Sequence, residues 1–488
     1  MENSFVNALK RESNITTTEN GMQCLKSTTS ALVDLFGTIG ALRSRSDDEI
    51  IQKFVKAFCE DRLLATKMSF YARDIRYGGL GERRIPRVIW KYMANNYSDI
   101  VDKNMALIPK FGRWDDLYCL IDTPCESKMW ETIRSQWTVD NDNMRAGKPI
   151  SIMSKWLPSV NASSKTTIAN GKRTATALGL SYAAYRKALS KFRAYLSVVE
   201  TMMSSNKWSN IDYEGVPSKA MNNYRSAFAK HDNERFGAYL ADVSAGEKKI
   251  NSSTLFPYDI TEKYMYHSNR WCNPVLEEQW KALPNYVVND DNVLIMADVS
   301  GSMWGRPMAT SVGLAIYFAE RTHGAFSNSF MTFSSTPELV QLQGNNLMEK
   351  IVNAMSAHWG MNTNIKDAFD LVLKTAVNNH IPKNDMPKAI VIISDMEFDS
   401  CAISGGWDFY TQTKNDFANA GYDIPNIVFW NVNSRNDTYH AVSKYEGVQL
   451  MSGQSASVFK TMLENIGTTP YQAMLNVLNS EVYNDITV

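Results

Sequence analysis

The chain has 488 residues, its 51 Lys and Arg are balanced by 51 Asp and Glu, and 44% of its residues are hydrophobic. This length exceeds what one ordinary core supports, and this composition excludes large-scale disorder, so we expect two or three folded domains. The first twenty residues lack the apolar region of a secretory signal, and no run approaches the roughly 20 apolar residues that span a bilayer. These features predict a cytoplasmic protein with no membrane span.

Charge divides the chain into two unlike halves. Residues 1–250 hold 37 Lys and Arg against 27 Asp and Glu, whereas residues 251–488 hold 14 against 24. The most basic stretch is 151–200, with eight Lys and Arg and a single acid, Glu200. A basic half favours a polyanionic partner. The alternative is that these charges are scattered over solvated helix faces.

The first half of the chain has a helical pattern. Residues 1–20 are polar and are predicted to form a flexible arm. From 21 to 245, apolar residues recur at spacings of three and four, as in "DDEIIQKFVKAFCED", which Asp47 and Asp48 are expected to cap. Turn signals such as "YGGLGE" and "KFGRWDD" separate these helices. The pattern predicts an all-helical domain of stacked, HEAT-like helix pairs, followed by a proline-containing connecting segment over 246–290.

After residue 290 short apolar runs alternate with helical segments. The runs "NVLIMAD", "SFMTFS", "KAIVIISD" and "NIVFWNV" have the length of strands. Strands that alternate with helices predict a doubly wound, Rossmann-like α/β domain over 291–488 with a mostly parallel sheet. In such sheets, ligands bind beyond the carboxyl ends of the strands.

Oxygen-bearing side chains follow these strands. Asp298, Ser300 and Ser302 come directly after "NVLIMA", Asp395 follows "KAIVIIS", and Thr363 precedes a helix between them. Mg²⁺ prefers six oxygen ligands and usually keeps some waters, so these five residues predict a site for Mg²⁺ or another divalent cation such as Mn²⁺. With few charged ligands, the cation would stay electrophilic and accept an acidic side chain from a partner. A turn capped by Asp and Ser is the alternative, but it accounts only for the first loop.

Two parts of the chain resemble known families. The "DVSGSM" motif with Thr363 and Asp395 resembles the metal-ion-dependent adhesion site (MIDAS) of von Willebrand factor A domains. The stretch "DRLLATKMSFYARDIRYGGLGERRIPRVIWKYM", followed by "ALIPKFGRWDDL", resembles the helical-repeat domain of the Ro autoantigen (TROVE) family. It is more similar still to a related family of uncharacterised proteins from plants and large DNA viruses, which pairs such a domain with a C-terminal A domain.

The Ro resemblance implies binding of small structured RNA, because Ro helical repeats close into a ring that holds RNA ends and stems. Phosphate contacts would come from Lys and Arg near turns and helix ends. The candidate RNA-binding residues are Arg73, Arg76, Arg83, Arg84, Arg87, Lys110, Arg113, Lys172, Arg173, Arg186 and Lys187. The glycines of "RYGGLGERR" would allow close approach to a phosphate, and Tyr182 and Tyr185 are candidates for stacking on unpaired bases.

Two other functions remain open at this point. One is a metal-dependent adaptor that binds a protein partner, for example an AAA+ ATPase, without RNA. The other is a metal-dependent nuclease or phosphatase built on Asp395, Glu397 and Asp399. The A-domain resemblance argues against the second, because such sites recognise partners and perform no chemistry. We therefore expect a ribonucleoprotein component that is not an enzyme.

Overall fold

The N-terminal half consists of packed helices. The computed structural model describes residues 13–266, 272–287, 292–332, 337–357, 363–400 and 409–488. The helices before the sheet are α1 (Ala31–Phe36), α2 (Asp47–Glu60), α3 (Arg62–Arg73), α4 (Arg84–Asn96), α5 (Ser98–Lys103), α6 (Leu107–Phe111), α7 (Glu126–Arg145), α8 (Met153–Trp156), α9 (Lys165–Ala177), α10 (Tyr182–Tyr195), α11 (Val199–Ser204), α12 (Ser218–His231), α13 (Asn233–Ser244), α14 (Pro257–Met265) and α15 (Pro274–Lys281). The all-helical N-terminal prediction is confirmed.

Helix α2 shows how the local sequence sets these boundaries. Its N-cap is Ser46, whose hydroxyl accepts from the Glu49 backbone N–H, while the Glu49 carboxylate accepts from the Ser46 N–H. This reciprocal capping box satisfies two backbone donors that the first turn leaves free. Asp47 and Asp48, which the sequence suggested as caps, lie in the first turn, where their charges favour the helix dipole.

The second half is an α/β domain. Its strands, numbered after the N-terminal β1 (Ile15–Thr17) and β2 (Gln23–Leu25), are β3 (Val293–Ala297), β4 (Ser329–Thr332), β5 (Leu339–Gln341), β6 (Ala389–Ser394), β7 (Asn426–Asn431) and β8 (Val448–Ser452). Its helices are α16 (Arg306–Arg321), α17 (Leu347–Met355), α18 (Ile365–Asn378), α19 (Phe409–Asn419), α20 (Val458–Glu464) and α21 (Pro470–Leu478). Within the described residues these strands form a six-stranded sheet in the order β5-β4-β3-β6-β7-β8, and β5 alone is antiparallel to its neighbour. The predicted α/β domain with a mostly parallel sheet is confirmed. No helix in the described ranges is both long enough and apolar enough to serve as a membrane span.

Both ends of the helical region contact the α/β domain. At its start, Gly40 lies so close to Gly453 that a Cβ on Gly40 would be 2.7 Å from the Gly453 Cα. At its end, α14 packs against α16, where the Thr261 hydroxyl donates to the Ala309 carbonyl at 2.8 Å. One continuous hydrophobic core therefore includes residues from both halves, and a smaller core lies around α12 and α13.

Composition predicted a flexible arm over residues 1–20, but the described part of this segment packs against the α/β domain. Within the described part of that segment, β1 (Ile15–Thr17) and β2 (Gln23–Leu25) form an antiparallel hairpin. Leu25 and Tyr439 exchange two backbone hydrogen bonds, and the Thr18 hydroxyl donates to the Phe398 carbonyl at 2.6 Å. This hairpin was not predictable from the sequence because three-residue strands have no recognisable periodicity, and the residues that they contact in the α/β domain lie 380 or more residues away.

The C-terminal residues pack in turn against the helical region. Tyr483 stacks on Phe111 with ring centroids 5.4 Å apart and donates to the Asp74 carboxylate at 3.0 Å. Asn104 also donates to the Thr487 carbonyl at 2.6 Å. The last residues of the α/β domain thus complete the packing of the helical region.

Candidate functional sites

The first candidate site lies where β3 and β6 end. These strands are parallel neighbours, with Ala297 opposite Ile393, so the residues that follow them meet at one edge. The Asp298 N–H donates to the Ile393 carbonyl at 3.0 Å, and the Ser394 hydroxyl donates to Asp298 Oδ2 at 2.6 Å. Asp298 is therefore held directly beside the segment that begins with Asp395.

The two serines are held on the same loop. Asp298 Oδ1 accepts the Ser300 backbone N–H at 2.8 Å, which turns the chain into a short 3₁₀ helix. This turn brings the Ser300 and Ser302 hydroxyl oxygens to 3.1 Å from each other. The D-x-S-x-S spacing thus gathers one carboxylate and two hydroxyls on one turn.

Thr363 contacts the 395–399 segment. It is buried, its N–H donates to the Asp399 carboxylate, and its hydroxyl lies 3.5 Å from the Glu397 carbonyl oxygen. The three acids of that segment face different partners, because Asp395 pairs with Arg435 at 3.0 Å and Glu397 accepts from the Glu19 N–H at 2.8 Å.

The electrostatics of this edge suit a cation. Burial, together with the nearby charge of Asp395, raises the pKa of Asp298 to about 6. A positive charge beside the buried Asp298 carboxylate would favour its ionised form. Within the described ranges, no three His, Cys, Asp or Glu side chains gather as a metal-binding group. The candidate ligand set instead combines Asp298 and Asp395 with hydroxyl oxygens, which fits a hard divalent cation.

The predicted RNA-binding residues of the helical region fall into two groups. Those before residue 120 are engaged by the protein itself. Arg73 is 2% exposed and pairs with Asp116 at 2.6 Å, while Arg87 contacts both Asp115 and Asp116. The remaining contacts are Arg83 with Asp115, Arg84 with Asp47, Lys110 with Asp485, Arg113 with Asp115 and the Trp156 ring, and Arg76 with the Gly112 carbonyl.

The glycines of "RYGGLGERR" serve internal packing. A Cβ on Gly79 would lie 2.5 Å from the Tyr71 carbonyl oxygen, and a Cβ on Gly81 would lie 2.8 Å from the Phe256 ring. The Gly78 carbonyl accepts a hydrogen bond from the Ser457 hydroxyl at 3.1 Å. This loop therefore packs against α3, against Phe256 near the end of the helical region, and against the α/β domain.

The second candidate site is the outer face of α9 and α10. We call it the basic face and define it by Lys165, Lys172, Arg186, Lys187 and Lys191, which are all exposed. Within the described part of the chain, none of the five has an acidic side chain at ion-pairing distance, whereas the neighbouring Arg173 pairs with Asp122 at 2.9 Å. Residues 151–199 contain no Asp or Glu, so this face keeps its positive charge.

An exposed tyrosine lies on the basic face. Lys172 on α9 lies beside Tyr182 on α10, with Lys172 Nζ 5.7 Å from the centroid of the Tyr182 ring. Tyr182 is 49% exposed. Tyr185, the other candidate for base stacking, is fully buried and donates its hydroxyl to the Pro158 carbonyl. Only the first of the two is accessible to a base.

Comparison with known proteins places the chain in a family. It is 31% identical to the uncharacterized protein L728 of Acanthamoeba polyphaga mimivirus, over 97% of this chain and 89% of that protein. The chain belongs to the same family as this viral protein. Residues 130–290 match a domain of unknown function (DUF2828), and residues 292–484 match another (DUF7788). The expected family, in which a helical region precedes a C-terminal α/β domain, is confirmed.

The chain is also similar to a solved structure, that of the Ro (RSR) protein of Deinococcus radiodurans. That similarity covers 93% of this chain and all of the other, at 13% identity and a TM-score of 0.48. The DUF7788 match in this family includes all five predicted metal-binding residues, and the DUF2828 match includes the whole basic face.

Arg435 is the site residue that sequence reasoning missed. It lies in the loop 432–438 beyond β7, at the same edge of the sheet as Asp298 and Asp395. The strand-end rule points to this loop, but a criterion of oxygen ligands passes over a basic side chain. An arginine that follows a parallel strand, next to strands that end in acids, is the signal that could have found it.

Proposed function

We propose that this protein binds structured RNA through the basic face, and that the edge of its sheet binds a divalent cation and recognises a protein partner without performing chemistry. The observation that carries the proposal is a set of five exposed cations without acidic partners among the described residues, beside the exposed Tyr182. Unpaired Lys and Arg supply the phosphate contacts that dominate nucleic-acid affinity. An aromatic ring among them can stack on an unpaired base, as single-stranded segments of structured RNA allow.

The direct test is fluorescence anisotropy of a labelled RNA hairpin with a single-stranded tail, titrated with the protein across a salt series. We expect binding that weakens steeply with salt, because phosphate contacts release counterions. Binding that is the same with Mg²⁺ and with chelator would assign the sheet edge to a separate partner. Absence of binding at low salt would contradict the RNA proposal.

One observation favours the adaptor as a second candidate function. Trp304, two residues beyond Ser302, is 73% exposed and packs edge-on against Tyr266 at 5.3 Å. An exposed indole beside a cation site suits a protein surface that presents an acidic side chain next to an apolar one. Under the adaptor function, Trp304→Ala should lose partner binding in a pull-down assay, and the wild type should bind no RNA at low salt.

Asp298→Asn should abolish cation binding at the sheet edge. Mg²⁺ or Mn²⁺ binds the folded state, so at about 100 times Kd it should stabilise the wild type by about 2.7 kcal/mol. We expect a rise in Tm with either ion for the wild type and none for Asp298→Asn, measured by thermal unfolding against a chelator baseline. The matched control is Asp423→Asn, whose carboxylate is 90% exposed and lies before the start of β7, at the opposite end of that strand from the site. An equal Tm rise in Asp298→Asn would remove this residue from the site.

A further inference from the structure

Arg435 links the candidate cation site to the N-terminal hairpin. Its Nη2 lies 3.0 Å from Asp395 Oδ2, and its Nη1 lies 2.6 Å from Glu19 Oε2 at the tip of the hairpin. Asp395 is almost fully buried, while Arg435 is less than one-third exposed. The guanidinium thus bridges a proposed cation ligand and a segment more than 370 residues away in sequence.

The hairpin tip is bonded to the same group of residues. The Glu19 N–H donates to Glu397 Oε2 at 2.8 Å, and Asn436, next to Arg435, donates to Glu19 Oε1 at 2.7 Å. Asn20 also donates its side-chain amide to the Glu397 carbonyl at 2.7 Å. A displacement of the 435–436 loop would therefore act directly on the docking of the hairpin tip.

A cation and Arg435 have opposing requirements at Asp395. Asp395 Oδ1 accepts the Glu397 N–H at 3.2 Å, and Oδ2 is held by Arg435. A divalent ion that takes an oxygen of Asp395 meets a fixed positive charge, and Coulomb repulsion is strong where water is largely excluded. The ion and the guanidinium therefore favour different arrangements of the same carboxylate.

We propose that Arg435 competes with the divalent cation for Asp395, and that this competition couples occupancy of the site to release of the hairpin formed by residues 15–25. The proposal rests on the cation site proposed above. Without the ion, Arg435 neutralises Asp395 and holds Glu19. With the ion bound, Arg435 leaves Asp395, no longer holds Glu19, and the hairpin is released from its site.

The first experiment measures Mg²⁺ and Mn²⁺ affinity by calorimetry in the full chain. Arg435→Ala and Arg435→Gln should each bind the ion about tenfold more tightly than the wild type, because a charge-assisted contact no longer has to be broken. The control is Arg45→Ala, which removes a cation paired with Asp437 in the same loop but leaves the contact to Asp395. Its affinity should equal that of the wild type.

The second experiment reads the hairpin directly. Cys24 lies on β2 and is 4% exposed, so a thiol reagent reaches it only when the hairpin leaves its site, whereas Cys59 is exposed and serves as an internal reference. Saturating Mg²⁺ should raise the rate of Cys24 labelling, measured by peptide mass spectrometry, at least about threefold in the wild type. It should leave the rate unchanged in Asp298→Asn and in Arg435→Gln.

The outcomes separate the two proposals. If neither the wild type nor the Arg435 variants bind either ion, the cation site itself is rejected. If ions bind with the same affinity with and without Arg435, the cation site stands and the competition is rejected. If affinity rises in the variants but Mg²⁺ leaves Cys24 labelling of the wild type unchanged, the coupling to the hairpin is rejected.

Discussion

Replacing Arg186 and Lys187 together by glutamate should lower the affinity for structured RNA by about 10- to 100-fold near 100 mM salt, since two phosphate contacts become two repulsions. Both residues are exposed on α10 and, within the described residues, have no acidic partner. The salt dependence should also weaken, by about 1 in the slope for each lost phosphate contact. Anisotropy titrations at several salt concentrations measure both effects.

The matched control reverses two lysines elsewhere. Lys374→Glu with Lys444→Glu changes the net charge by the same amount on the α/β domain, where both side chains are exposed. Its RNA affinity should stay within about twofold of the wild type, apart from a small long-range effect that salt screens. Equal losses in the two double variants would show that overall charge, and not the basic face, determines binding.

Replacing Asp116 by alanine should destabilise the fold by about 3–5 kcal/mol, because it leaves a buried arginine without its counter-ion. Asp116 is fully buried, accepts from Arg73 and Arg87, and also accepts the Arg113 backbone N–H at 2.7 Å. Burial alone would raise the pKa of Asp116, but the two arginine charges hold it below its ordinary value of 3.8. Its stabilising contribution is therefore complete above pH 4 and is lost as the pH falls through the depressed value. Urea unfolding at pH 7 measures the loss.

The Asp485→Ala variant is the control. Asp485 and its partner Lys110 are both exposed, and exposed ion pairs contribute about 0–1 kcal/mol. Similar losses of unfolding free energy in the two variants would mean that the buried ion pairs of Asp116 stabilise the fold no more than an exposed pair does. The comparison also bears on function, since Arg73→Ala or Arg87→Ala would reduce RNA binding through unfolding and not through a lost phosphate contact.

The sheet was predictable from sequence because its strands are continuous apolar runs. Residues 293–297 and 389–394 are entirely buried, which is typical of parallel strands covered on both faces, and the acids that follow them meet as the strand-end rule requires. Local spacing also gave the turn that joins Asp298 to Ser300 and Ser302. For these strands and this turn, the pattern along the chain was sufficient to predict which residues lie close together.

Which Lys and Arg side chains form buried ion pairs and which face solvent was not predictable in the same way. Arg73 and Arg186 are both helical arginines in a basic half, yet one is buried against Asp116 and the other faces solvent. The partner that separates them lies 43 residues from Arg73, on a 3₁₀ helix whose packing no local pattern encodes. The Arg435–Glu19 ion pair was unpredictable for the same reason, because the two residues are more than 400 residues apart in sequence.

The exchange of the two chain ends constrains how the protein is made. Asp74, Asn104 and Phe111 contact Tyr483 and Thr487, so the helical region lacks part of its packing until residues 483–487 have been synthesised. Contacts over such sequence separations form late and slowly. During synthesis of the sheet, the nascent helical region would therefore still lack these contacts. Tyr483→Ala should lower the soluble fraction of the expressed protein relative to the wild type.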